Sequence, residues 1–242
     1  MSRGVYVALS GAVAQEQALE STAQNLANAS TAGYQRMRPV FREVLAGQSK
    51  KKEKLHYATT STQALDTSRG SLRTTGRPLD VALPEKQYLA VTTPRGERYT
   101  RAGALTMTAD GTLKTTSGMA LAREDGKPIQ LSPSAGEPSI SPDGSIVQGG
   151  AIVGRLKVVK ADEGTSFQHE AGGILTASGK PPTVTDTTLE VGVLEESNAT
   201  AVTAMTDMVT ASRTFEAFQK MLDTMGECDR KVLTTVPGAV EG

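Results

Sequence analysis

Tryptophan is absent from the 242 residues, and aromatic side chains together make up only 4%. A large aromatic core is therefore not expected, and neither is an aromatic-lined ligand pocket. Cysteine occurs once, at Cys228, which excludes an intramolecular disulfide and leaves the redox compartment open. Histidine occurs twice, at His56 and His169, with no partner for either at metal-ligand spacing. Both read as surface histidines. Net charge is lacking as well: 26 Lys and Arg balance 26 Asp and Glu. That balance gives no electrostatic reason to expect nucleic acid or an anionic membrane as partner. No apolar run approaches the roughly 18 residues of a membrane span. Gly11, Gln15, Glu16 and Gln17 interrupt the stretch where a cleaved secretory signal would need its apolar region, so no such signal is expected.

The polar residues that are present form no catalytic pattern. Cys228 stands beside Asp229, with no cation in the preceding turn to make it a nucleophile. The one basic cluster, Lys50-Lys51-Lys52-Glu53-Lys54, has a single aromatic nearby, Tyr57, and reads as a solvated loop. No Gly-rich phosphate loop opens a helix, and no strained nucleophile elbow occurs. The sequence thus offers no catalytic residue, no metal site and no cofactor, and it points away from a small-molecule substrate.

What it does contain is two amphipathic ends. Leu9, Ala12, Glu16, Leu19, Ala23 and Leu26 recur at spacings of three and four, a heptad-like row with small residues at two of its six positions. Asn28 to Gly33 then favours a turn. At the other end, Ala201, Ala204, Met208, Ala211, Phe215, Phe218, Leu222, Met225, Asp229, Val232 and Val236 follow the same alternation for about five heptads. Ser197 or Asn198 is the expected N-cap, Gly226 a weak point, and Pro237 the stop. A helix over 197–236 would be on the order of 60 Å long. A compact globule of this chain length has a diameter of about 45 Å. The helix therefore exceeds what one globule would bury. A second stripe, Val202, Met205 and Val209, faces another way and adds to the excess, which calls for neighbouring chains.

The middle is rich in turns. Asp110-Gly111, Asp125-Gly126 and Asp143-Gly144 are hairpin dipeptides, and short apolar runs lie between them. The expected fold is α+β: long N- and C-terminal helices paired as a coiled coil, with a central antiparallel β-rich domain. Its expected divisions are a coiled-coil helix in 1–45, an extended connector in 46–79, a β-rich domain in 80–193 and a second coiled-coil helix in 194–242. The expected subunit-interface residues are Leu9, Leu19, Leu26, Met208, Phe215, Phe218, Leu222 and Met225. Packing inside an ordinary helical core is the plainer alternative for both stripes.

Several blocks carry a resemblance. Ala23-Gln24-Asn25-Leu26-Ala27-Asn28-Ala29-Ser30-Thr31-Ala32-Gly33-Tyr34 resembles the N-terminal signature of the flagellar rod and hook proteins. Thr75–Leu83, Tyr99–Gly103, Asp110–Leu113, Leu194–Ala199 and Arg213–Ala217 resemble further blocks of that family, in its order, across nearly the whole chain. The resemblance implies a structural subunit of the bacterial flagellar basal-body rod, located in the periplasm. It implies export by the flagellar type III apparatus and helical polymerisation with copies of itself and other rod proteins. Chain length and Arg213-Thr214-Phe215-Glu216 favour the proximal-rod, F-type branch over the distal-rod, G-type branch. One departure stands out: Pro84-Glu85-Lys86-Gln87-Tyr88-Leu89 replaces the family's Gly-x-Gly-Phe-Phe, so the turn before that strand must differ. From another class, the alternative is a β-domain that binds cell-wall polymer, with the helices as a dimerisation element.

Overall fold

The computed structural model describes residues 3–46, 55–170 and 173–235. Val236, Pro237, the basic cluster at 50–54 and the side chains of Val232 and His56 lie outside what is described. The fold is α+β, with a helix at each end and an antiparallel β-rich region between. It divides into two compact units. One comprises Met1–Leu26, Met37–Ala64 and Ala201–Gly242; the other comprises Ala27–Arg36 and Leu65–Thr200.

The first unit holds helix α1 (Arg3–Ala27), helix α2 (Ala201–Thr235) and a two-stranded sheet of Met37–Ala46 with Leu55–Leu65. The stretch 46–79, expected as a connector, thus carries a long strand. Helix α2 has 35 residues and spans roughly 50 Å. It begins at Ala201, so Thr200 and not Ser197 or Asn198 directly precedes it. The Asn198 amide is engaged elsewhere, and the Ser197 hydroxyl accepts from the Ala199 N–H. At the end of α1, the Asn25 side chain accepts from the Met37 N–H and donates to the Met37 C=O, both at 2.8 Å. It thereby behaves as a one-residue strand partner that fixes where Met37–Ala46 starts.

The second unit is built around strand Gln87–Thr93. One edge of this strand pairs with Gly96–Thr100. Its other edge is shared: Val158–Lys160 pairs with the first half and Ala120–Leu121 with the second. The sheet extends through Leu113–Thr115 and Leu105–Met107 on one side, and through Ile174–Gly179 and Thr165–Glu170 on the other. A separate three-stranded sheet comprises Ser139–Ile140, Ser145–Gln148 and Ala151–Arg155. Two-residue periodicity sends Leu89 and Val91 to one face of the central strand and Tyr88 to the other. The first face joins a wholly aliphatic core with Val81, Leu83, Leu105, Leu113, Leu121, Ile129 and Ile146. Tyr88 joins a small second cluster with Val159, Phe167 and Leu175. Enclosing each large aliphatic side chain contributes about 1.5–3 kcal/mol. All three Asp-Gly dipeptides turn the chain between antiparallel neighbours, with Gly φ of 80°, 79° and 83°.

The departure at Pro84 resolves locally. The Gln87 N–H closes a turn onto the Pro84 C=O, and Lys86 adopts φ 57°, the one positive-φ residue other than glycine among those described. Such a backbone costs an L-residue about 1–2 kcal/mol. The strand that follows is intact, and Tyr88 and Leu89 are fully buried.

Candidate assembly interface

Apart from Asn25, the buried residues of α1 are small: Ala8, Gly11, Ala12, Ala14, Ala18, Ser21 and Thr22. This face lies about one position, or about 100°, round from the Leu9–Leu26 row expected from spacing. Leu19 and Leu26 are half-buried, while Leu9 is 49% exposed. Apolar size and inward direction do not coincide here. At Gly11 there is no room for a side chain. A Cβ placed there would lie 2.6 Å from the Phe218 ring, well inside van der Waals contact. Thr22 and Ser21 spend their hydroxyls on the Ala18 carbonyl, which removes polarity from the same face.

Along α2, Ala204 and Ala211 are buried, and Met208, Phe215, Phe218, Leu222 and Met225 are half-buried. The opposite side stays open. Val202 is 75% exposed, and Met205, Val209 and Met221 each remain about half exposed or more. Thr206, Thr210 and Thr214 bond back to the carbonyls four residues earlier. Their hydroxyls are thereby satisfied within the helix. On α1, Tyr6, Val7, Leu9 and Val13 form a comparable exposed apolar group. Cys228 is exposed on α2.

The second unit contains a dense polar cluster that sequence reasoning missed. Its centre is Arg101, 1% exposed, paired with Glu195 at 3%. The guanidinium donates to both Glu195 oxygens and to the carbonyls of Leu83, Pro84 and Gln87, and it lies over the Tyr88 ring at 5.7 Å. The Gly70 N–H donates to the same carboxylate. The Gly33 N–H donates to the Glu195 C=O at 2.8 Å. A Cβ on Gly33 would lie 2.3 Å from the Arg101 backbone, and its φ is +69°, so no other residue fits there. Blocks of sequence near residues 33, 101 and 195 thus converge on one place.

His169 belongs to this region and is not a surface histidine, contrary to the sequence reading. It stands two residues after the buried Phe167 on strand Thr165–Glu170, so it shares that inward face. Its ring stacks on Tyr34 at 4.8 Å, and its Nε2–H donates to the Gln35 C=O at 2.6 Å. Burial lowers its pKa, opposed by the Gln35 bond, and burial pushes the Tyr34 hydroxyl up to about 12.

A cleft of about 240 Å³ is lined by Thr93, Pro94, Arg95, Met119, Glu170 and Ile174. Its carboxylate is already engaged: Arg98, Arg95 and Thr176 hold Glu170 down to about 2. Among the described residues, no group of three or more His, Cys, Asp or Glu could hold a metal ion, and no helix is long and apolar enough to cross a membrane.

A chain with helical ends that leave apolar faces open, and with a self-contained β-body between them, has the architecture of a polymer subunit. Family profiles agree in chain order. "Flagella basal body rod protein" matches residues 5–35, "Flagellar hook protein FlgE/F/G D1 domain" 83–148, and "Flagellar basal body rod FlgEFG protein C-terminal" 190–235. The flagellar basal-body rod protein FlgF of Rhizobium meliloti is 33% identical, covering 97% of this chain and 98% of its own length. FlgF of Escherichia coli is 37% identical, covering 94% and 95%. The chain therefore belongs to the flagellar basal-body rod protein family. Its affinity is to the F-type branch; the G-type protein FlgG of Bacillus subtilis is 27% identical over 94% of this chain.

Proposed function

We propose that this protein is a structural, non-catalytic subunit of the proximal part of the flagellar basal-body rod in the periplasm. It polymerises helically with copies of itself and with other rod proteins, as part of the shaft that transmits torque. Helices α1 and α2 pair as a coiled coil. Leu19, Leu26, Met208, Phe215, Phe218, Leu222 and Met225 form or flank the seam, and Leu9 faces a neighbouring subunit. In functional terms the chain divides as 1–45, 46–79, 80–193 and 194–242. Export proceeds through the flagellar type III apparatus.

The observation that carries this reading is the set of large apolar side chains left open on both helices: Tyr6, Val7, Leu9 and Val13, and Val202, Met205, Val209 and Met221. Clustered exposed apolar side chains mark interaction surfaces. The test is a Val209→Asp, Met205→Asp double variant in a flagellated strain whose own copy is deleted. We expect a folded β-body and no rod beyond the missing segment. Normal flagella from this variant would refute the proposed interface.

A further inference from the structure

Four peptide links join the two units, after Leu26, Arg36, Ala64 and Thr200. Asn198 lies two residues before one of them, and its side chain reaches the chain beside two others. Its Oδ1 accepts from the Arg36 N–H at 2.6 Å. Its Nδ2 donates to the Asp66 C=O and the Ser68 C=O, each at 2.9 Å. Its own N–H donates to the Tyr34 C=O at 3.2 Å. Two further bonds tie the same segments together: the Asp66 N–H donates to the Arg36 C=O at 2.9 Å, and Arg36 Nε donates to Asp66 Oδ2 at 2.8 Å. Only a short primary amide offers an acceptor and two donors at this reach. Asp lacks the donors, and Ser is too short.

We infer that Asn198 is a mechanical clamp, fastening three of the four links to one point of the β-body. A single covalent linker turns freely about its backbone bonds. Three segments cross-tied through one amide must move together, so twisting any one of them breaks several hydrogen bonds at once. Load arriving along α2 then enters the body through cross-ties, a few residues before the helix begins at Ala201. This inference rests on the rod-subunit reading only for its mechanical meaning; the clamp itself is a property of the isolated chain.

The test has two arms. In the first, hydrogen exchange is measured on the purified full chain carrying Asn198→Ala. Amides of 33–36 and 66–70 should exchange about tenfold faster, while 87–93 stays unchanged. Unchanged exchange at 33–36 and 66–70 would overturn the clamp. Should Asn198→Ala lose the whole body, Asn198→Asp decides, because it retains the acceptor for Arg36 and loses both donors. Faster exchange confined to 66–70 would support the clamp, and loss of protection at 87–93 in this variant too would overturn it. In the second arm, cells carrying Asn198→Ala should build flagella but lose swimming speed steeply as viscosity is raised. Swimming equal to the unaltered chain under load would overturn the mechanical role. Failure of the unaltered chain to restore flagella would count against the rod reading alone, with the exchange arm still deciding the clamp.

Discussion

Leu89, Val91, Leu105 and Leu113 in the β-body are completely enclosed, whereas Val202, Met205 and Val209 on α2 stand largely in solvent. The two regions have similar residue types available and use them in opposite ways. The body encloses its aliphatic side chains within the chain and saturates its central charge, with Arg101 making five hydrogen bonds to protein oxygens. On the helices the buried positions are mainly Ala, Gly, Ser and Thr, while Val202, Met205 and Val209 stay exposed. The body is therefore expected to be stable by itself, and the helices to be completed by neighbours.

The sharpest test of the body's side of this contrast is Arg101→Met, which removes the two guanidinium bonds to the buried Glu195 and leaves it the Gly70 N–H and the more distant Arg69 Nε at 4.0 Å. It should cost about 3–5 kcal/mol, read by urea unfolding followed by circular dichroism. A loss under 1 kcal/mol would mean that the ion pair is not a keystone. On the helices, Gly11→Val forces branched carbon into the Phe218 ring. It should cost about 1–3 kcal/mol in helix packing while leaving the body's own transition in place. A shift of both transitions together would erase the contrast between the regions.

A smaller effect depends on pH. Burial lowers the His169 pKa from its ordinary 6.5, so the unfolded chain takes up the proton first. Stability is therefore full above that range and falls as pH drops through it. Unfolding at about pH 7.5 and about pH 5.5 should show this loss, and His169→Gln should reduce the difference. The smallest effect concerns the turn before the central strand. Lys86→Gly relieves φ 57° and should stabilise the body by about 0.5–1 kcal/mol, visible as a raised midpoint.

The sequence shows what local spacing can encode. The three-four rows located both helices, and the Asp-Gly pairs located turns. The inward face of α1 was not legible, because spacing rules weight Leu above the Ala, Gly, Ser and Thr residues that are buried there. The Arg101–Glu195 pair was not legible either, since its members are 94 residues apart. His169 misread for a related reason. Its partners, Tyr34 and Gln35, lie on a segment 134 residues away, and nothing local marks the histidine as covered.

The place where Gly33, Arg101 and Glu195 meet also sets an order of events during folding. Its pieces come from near the beginning, the middle and near the end of the chain. The loops that must close are long, so their entropy cost precedes any reward. A nascent chain that has not yet reached Glu195 can form hairpins but cannot neutralise Arg101 or seat Gly33. Closure of the body therefore waits for almost the whole polypeptide, which keeps an incomplete chain from locking into its final form.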